Sequence, residues 1–78
     1  MQEKLILIRK KNNITQQFLA DLIGISSNQY SLKENGKYEF NCDEMFKISE
    51  YLKIPIEDIF VPTIHQNGVK EDQKEEVT

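Results

Sequence analysis

The chain has 78 residues, of which 38% are hydrophobic and 29% charged, and its formal net charge is −3. This length allows one domain with a small core, and the composition is typical of a globular protein. The longest apolar run, residues 5–8, is too short to span a bilayer, and no signal-peptide pattern follows Met1, so a cytoplasmic location is expected. Cys42 and His65 are too few to form a metal cluster or a disulfide, and no cofactor is expected.

The negative charge is concentrated near the C-terminal end. Residues 1–65 hold eight Lys or Arg against nine Asp or Glu, and residues 66–78 hold two against four. Residues 63–78 are polar and acidic, with few apolar side chains that could anchor them. We therefore predict one folded domain over residues 1–62 and a disordered tail over residues 63–78, which either recruits a partner or only increases solubility.

The first predicted helix covers residues 2–11. Good helix formers fill this segment, and the basic residues at its end favour the helix dipole. Asn13 then suits a left-handed cap. In a helix Ile6 and Leu7 cannot both face the core. We interpret the segment as helical, although the apolar run over residues 5–8 is also compatible with a short buried strand.

A second helix is predicted over residues 16–23. Thr15 is its N-cap, and Gly24 suits the left-handed conformation that ends a helix. Its apolar side chains fall three and four residues apart, so they form a stripe that faces the core. These residues are Leu19, Leu22 and Ile23.

The same signals recur immediately after this turn. Ser26 is the predicted N-cap of a third helix over residues 27–35, with Gln29 as its capping-box partner. Asn35 and Gly36 tolerate positive φ, so they end the helix. Two short helices joined by a tight turn that contains a glycine are typical of the helix-turn-helix, whose second helix enters the major groove of DNA.

A fourth helix is predicted over residues 42–52. Asn41 and Glu44 form its capping box, and its apolar side chains repeat at helical spacing. Pro55 follows a break in the pattern, and residues 56–60 again repeat apolar side chains as a short fifth helix would. The whole pattern predicts an all-α fold.

The residues T-Q-x-x-L-A, G-I-S and Y-S-x-K-E-x-G-K in the segment 15–37 resemble the Cro and phage-repressor type of helix-turn-helix domain, also called the xenobiotic-response-element (XRE) family. The resemblance covers residues 4–60, with small regulators of phages and mobile elements of low-GC Gram-positive bacteria as the narrower match. It implies a five-helix bundle of the lambda-repressor type, with Leu5 and Ile8 buried and residues 56–60 as the fifth helix. It also implies a regulator, expected to be a repressor, that binds a palindromic double-stranded DNA operator as a homodimer.

The resemblance further implies which side chains meet DNA. The start of the second helix contacts a phosphate, and the first turns of the third helix read base edges. Asn28 matches the donor and acceptor pair of adenine, and Leu32 either meets a thymine methyl group or turns toward the core. Lys37 contacts the backbone as a charge. The implied set is Gln16, Gln17, Ser26, Ser27, Asn28, Ser31, Leu32, Asn35 and Lys37.

Arg9 and Glu34 match an ion pair of the family that ties the first helix to the end of the recognition helix. The resemblance favours a buried clamp that orients the third helix. The residues alone are also compatible with two solvated surface charges.

Two features depart from the family pattern. Phe18 replaces a polar residue, which leaves the capping box of the second helix incomplete and an aromatic ring at the surface. The recognition helix has no arginine, which shifts the expected preference toward A·T pairs.

An alternative function is a helical protein-interaction module that binds an antirepressor-like partner. The near-neutral charge of the domain and the apolar side chains of Phe18 and Leu32 are compatible with this alternative. Gln16, Asn28 and Lys37 favour DNA instead.

No catalytic constellation is recognisable, so an enzyme is not expected. The paired carboxylates at residues 43–44 and 57–58 lie in the first turns of predicted helices, where they favour the helix dipole. The aromatic rings of Phe46 and Tyr51 fit core or dimer packing better than base stacking, which requires basic neighbours on one exposed face.

Overall fold

The computed structural model describes residues 1–62, and the regular secondary structure in this range is helical. Four α-helices follow one another, α1 (Glu3–Lys11), α2 (Gln16–Ile23), α3 (Ser27–Glu34) and α4 (Cys42–Leu52). The predicted all-α fold is confirmed, and the alternative of a strand over residues 5–8 is wrong because those residues lie inside α1. The predicted tail lies outside the described residues.

The segment after α4 differs from the predicted fifth helix over residues 56–60. A 3-10 turn of three residues, Ile56–Asp58, stands there instead. Ile59 and Phe60 just after it are buried, so the segment still contributes to the core. The bonds that close the turn join residues three apart, from the Asp58 N–H to the Pro55 carbonyl at 2.9 Å and from the Ile59 N–H to the Ile56 carbonyl at 3.0 Å, as in a 3-10 helix.

The predicted helix caps are largely present. Thr15 Oγ1 accepts a hydrogen bond from the N–H three residues later at 3.0 Å, which satisfies one unpaired amide at the start of α2. Asn41 and Glu44 form the complete capping box predicted for α4, with reciprocal bonds of 2.8 and 3.0 Å. Asn13 and Gly24 adopt the left-handed conformation expected of them, with φ of 58° and 81°.

Two details of α3 differ from the prediction. Ser26 Oγ accepts from the N–H of Gln29 at 3.1 Å, but the Gln29 side chain returns no bond among the described residues, so this capping box is half formed. The helix ends at Glu34, and the positive φ falls on Gly36, at 89°, while Asn35 stays right-handed at −76°. Gly36 therefore carries the change of direction after α3.

The helices enclose one small core with a row of aromatic rings through it. Tyr30 meets Phe40 with ring centroids 5.6 Å apart, and Phe40 meets Phe60 at 5.2 Å, both edge to face. On α1, Leu7 is exposed and Ile6 is half-buried, so neither belongs to the buried cluster. The buried apolar residues are Leu5, Leu19, Ala20, Ile23, Tyr30, Phe40, Ile48, Ile59 and Phe60.

Gln2 fastens the N-terminal residues to two distant parts of the domain. Its buried amide donates to the Val61 carbonyl at 3.0 Å and accepts from the Val61 N–H at 2.7 Å. Its own N–H donates to the carbonyl of Glu34 at 2.8 Å. Gln2 thus joins the start of α1 to the end of α3 and to the segment that follows the 3-10 turn.

Candidate nucleic-acid interface

α2 and α3 form the predicted helix-turn-helix. The Gly24 N–H donates to the Asp21 carbonyl at 3.2 Å, and the Ile25 N–H donates to the Ala20 carbonyl at 3.0 Å. Bonds of this kind satisfy carbonyls at the end of a helix when the next residue is left-handed. Gly24 adopts that conformation, which most other residues do at a cost, so the short turn holds α3 at a fixed angle to α2.

One side of α3 is held in the protein and the other faces solvent. The buried residues Tyr30 and Glu34 are four positions apart, so they share one side of the helix. At about 100° per residue, Asn28, Gln29 and Leu32 lie on the opposite half. Asn28 and Gln29 are exposed, and Leu32 is half-buried without belonging to the side chains that pack on the core. Leu32 was expected either to face a thymine methyl group or to turn toward the core, and its position on the helix matches the outward orientation.

The residues implied to meet DNA differ in their exposure. The exposed ones are Gln17, Ser26, Asn28, Asn35 and Lys37. The half-buried ones are Gln16, Ser27, Ser31 and Leu32. None of them is fully buried, so each retains surface that a ligand can touch.

The start of α2 offers unpaired backbone donors. The N–H groups of Gln16 and Gln17 make no hydrogen bond to any described residue, as is normal in a first helical turn. The Gln16 side chain donates to Glu34 at 2.8 Å, and the Gln17 side chain donates to Asp21 at 2.9 Å, so both amides are held in place. A phosphate at this helix end would meet oriented donors and the positive end of the helix dipole.

The carboxylate of Glu34 joins α1, α2 and α3. It accepts bonds from Arg9 Nε at 2.9 Å, Arg9 Nη2 at 3.1 Å, Gln16 Nε2 at 2.8 Å and Tyr30 Oη at 2.8 Å. Arg9 Nη1 also donates to the Ile14 carbonyl at 3.1 Å. The side chains of Arg9 and Glu34 are 11% and 2% exposed, so the pair is buried rather than solvated. Four bonds satisfy both carboxylate oxygens, as a buried charge requires.

The ionisation of these groups follows from their contacts. Burial by itself would raise the pKa of Glu34, but the hydrogen bonds from Arg9, Gln16 and Tyr30 outweigh burial and lower that pKa below its ordinary value of 4.5. The bond to Glu34 raises the pKa of Arg9. Burial, together with the bond to Glu34, raises the pKa of Tyr30. At neutral pH the network therefore contains a carboxylate, a guanidinium and a neutral phenol.

A second ion pair, which the sequence did not indicate, fixes α3 to α4. Lys33 Nζ donates to both carboxylate oxygens of Glu44, at 2.6 and 2.8 Å, and the two side chains are 17% and 8% exposed. Glu44 is also the capping-box residue that accepts from the Asn41 N–H. Lys33 is thus committed to the fold. No pattern in the sequence around Lys33 identifies Glu44 as its partner.

The loop after α3 leaves one basic side chain in the open. The N–H groups of Lys37 and Tyr38 both donate to the Leu32 carbonyl, at 2.9 and 3.3 Å, which folds the loop back over the end of the helix. Lys37 is exposed, and it forms no ion pair with any described residue. Its charge is therefore available to a phosphate.

The exposed ring of Phe18 is not isolated. It packs against Tyr51 of α4, with ring centroids 5.1 Å apart and planes tilted by 52°. Phe18 remains 42% exposed and Tyr51 48% exposed, so the pair forms a small apolar patch on the surface. Single apolar side chains at a surface are common, but two in contact are the strongest feature in favour of a protein partner.

Within residues 1–62 no helix is long and apolar enough to cross a bilayer. The same residues hold no group of three or more His, Cys, Asp or Glu side chains that could bind a metal ion. Cys42 at the start of α4 is an exposed free thiol.

Comparison with known proteins agrees with this geometry. The helix-turn-helix family HTH_3 matches residues 5–59. The chain is also 38% identical, over 61 residues, to an uncharacterized HTH-type transcriptional regulator of Methanocaldococcus jannaschii, and the match covers 78% of this chain and 92% of that protein. The chain belongs to the XRE-type helix-turn-helix family, a family of DNA-binding transcription regulators, which confirms the resemblance in its motif.

Removal of one partner of the Arg9–Glu34 pair should destabilise the protein more than neutralisation of both. Arg9→Met leaves a carboxylate that is 2% exposed without its counter-charge, which we expect to cost on the order of 3 kcal/mol. The double variant Arg9→Met/Glu34→Gln retains an acceptor for Gln16 and Tyr30 without an unpaired charge, so it should recover much of that loss. Urea unfolding of the variants measures the coupling, and losses that simply add would contradict a buried ion pair.

The lowered pKa of Glu34 predicts acid sensitivity. Because this pKa is lower in the folded chain than the ordinary 4.5, the ionised group stabilises the fold above pH 4.5, and that stabilisation is lost as pH falls further. Glu34→Gln should therefore flatten the dependence of unfolding free energy on pH below about 4.5. The matched control is Glu50→Gln on the exposed surface of α4. An unchanged slope in Glu34→Gln would show that Glu34 has an ordinary pKa in the folded protein.

Proposed function

We propose that the chain is a cytoplasmic transcriptional repressor that binds a palindromic double-stranded operator as a homodimer, with α3 in the major groove. The observation that carries this proposal is the exposed amide of Asn28 in the first turn of a helix whose opposite side is locked by Tyr30 and Glu34. A helix held in this way presents its N-terminal residues to the groove.

The proposed contacts divide into two kinds. Asn28 reads adenine, Ser27 and Ser31 donate to or accept from neighbouring base edges, and Leu32 meets a thymine methyl group. The backbone is contacted from the start of α2, from the Ser26 N-cap and from the loop after α3. Those positioning residues are Gln16, Gln17, Ser26, Asn35 and Lys37. Because α3 has no arginine and Lys33 is paired with Glu44, the readout favours A·T pairs.

The proposed dimer uses the surface near Phe60. A groove of about 470 Å³ lies there, with Met45, Ile56 and Phe60 among the apolar side chains that line it. A single domain of this size reads few base pairs, and two half-sites one helical turn apart supply the missing specificity. A second copy of the chain on this groove would also cover apolar surface that a small core leaves open.

A second candidate function is a protein-interaction module that binds an antirepressor-like partner and DNA only weakly. The contact between Phe18 and Tyr51 at the surface favours this possibility. The N–H groups at the start of α2 and the ammonium group of Lys37 have no partner within residues 1–62, and this favours DNA.

Asn28→Ala and Lys37→Ala should affect DNA binding differently. Asn28→Ala removes a base contact, so it should cost about 1–3 kcal/mol on the specific site and little on random duplex. Lys37→Ala removes a phosphate contact, so it should weaken both complexes and lower the salt slope by about one ion. Fluorescence anisotropy titrations on both duplexes measure these effects.

Both positions are exposed, and circular dichroism verifies that the variants remain folded. If Asn28→Ala lost equal affinity for specific and random DNA, the result would contradict the role of α3 as the helix that reads bases. The protein-interaction candidate would then be the better account.

The operator complex should contain two protomers. Val61 lines the proposed interface and Gln2 bonds only its backbone, so Val61→Glu should place a charge in the interface, leave the fold intact and weaken operator binding. Leu7→Glu, on the exposed surface of α1, is the control. Sedimentation of labelled operator measures the stoichiometry. A complex with one protomer at saturating protein contradicts the dimer.

A further inference from the structure

Gln29 carries a polar group that the fold does not use. Its N–H is capped by Ser26 Oγ at 3.1 Å, but its side chain is exposed and makes no hydrogen bond to any described residue. At the start of α4, by contrast, Glu44 occupies the equivalent position and accepts from the Asn41 N–H at 3.0 Å. The Gln29 amide therefore keeps both a donor and an acceptor open to a ligand.

The helix geometry places this amide beside the proposed reading surface. Gln29 lies about 100° around the helix axis from Asn28 and about 60° from Leu32. It is about 120° from the middle of the side that Tyr30 and Glu34 bury. Gln29 and Asn28 therefore flank Leu32 on its two sides, both within the outward half of α3.

We propose that Gln29 is a second base-reading side chain and that it recognises adenine at a base pair other than the one read by Asn28. A glutamine amide donates and accepts in the pattern that matches the N7 and N6 positions of adenine in the major groove. Its side chain is one methylene longer than that of Asn28, so it can reach a base edge from the flank of the helix. The inference deepens the proposed function and rests on it.

The other polar side chains of α3 also support a base-reading role for Gln29. The helix contains one basic residue, Lys33, and both oxygens of Glu44 hold its ammonium group. Ser27 and Ser31 are half-buried, and a hydroxyl pairs with several bases. On the exposed half of α3, Asn28 and Gln29 are the side chains that can make a bidentate contact, so specificity depends on two amides rather than one.

Selection from a random duplex library tests the assignment through base preference at each position. Gln29→Met keeps the length and the helix propensity but removes the amide. It should lose adenine discrimination of about 5- to 150-fold at one position, while the adenine preference assigned to Asn28 stays unchanged. Gln29→Arg should replace adenine by guanine at that same position, since arginine pairs with the O6 and N7 atoms of guanine.

The outcomes separate the inference from the proposed function. Glu50→Met, a change on the exposed surface of α4, is the control and should select the same bases as the unsubstituted chain. If the unsubstituted chain enriches a site and Gln29→Met and Gln29→Arg both select that site unchanged, the role of Gln29 is overturned and the proposed function stands. If the unsubstituted chain enriches no site, both are overturned. Gln29→Arg gives a gained preference, which a loss of folding could not imitate.

Discussion

The geometry of the recognition helix depends on the buried carboxylate of Glu34. It is the last residue of α3, and it accepts four hydrogen bonds from α1, α2 and α3 itself. An ionised group in this position is tolerated only because every lone pair has a partner, so the three helices must keep their relative placement for the charge to remain satisfied. The pair of Arg9 and Glu34 therefore makes the orientation of α3 part of the stability of the domain.

The need to pair buried charges also determines which basic side chains are used within the fold. α3 buries one aromatic side chain, Tyr30, and is otherwise held by the Arg9–Glu34 and Lys33–Glu44 ion pairs. Two of the eight basic residues in residues 1–62 are thereby used inside the fold. Under the proposed function, the attraction to phosphate then rests on the remaining lysines and on the backbone donors at the start of α2.

Local rules predicted most of the fold. Thr15, Gly24 and Asn41 act within one helical turn, so their effects can be read from neighbouring residues, and the apolar stripe of α2 predicted its inward side.

Contacts between distant residues could not be predicted in this way. Nothing near Lys33 indicates Glu44, eleven residues on, and nothing near Gln2 indicates Val61. Residues 56–60 have a helical apolar spacing, but spacing does not distinguish one 3-10 turn from a short α-helix. For the site, the family resemblance supplied the positions of the expected DNA contacts. The structure of residues 1–62 added which of those side chains are bonded within the fold and which are exposed.

Titration of a random duplex over a range of salt concentrations tests the central claim most directly, because it requires no knowledge of the operator. A domain that presents α3 to the major groove and contacts phosphates with Lys37 and the start of α2 must bind random duplex at low salt. The logarithm of its affinity should then fall linearly with the logarithm of salt concentration, with a slope of about −0.9 for each phosphate neutralised. Absence of any salt-dependent signal at low ionic strength would contradict the account and leave the patch of Phe18 and Tyr51, and hence a protein partner, as the functional surface.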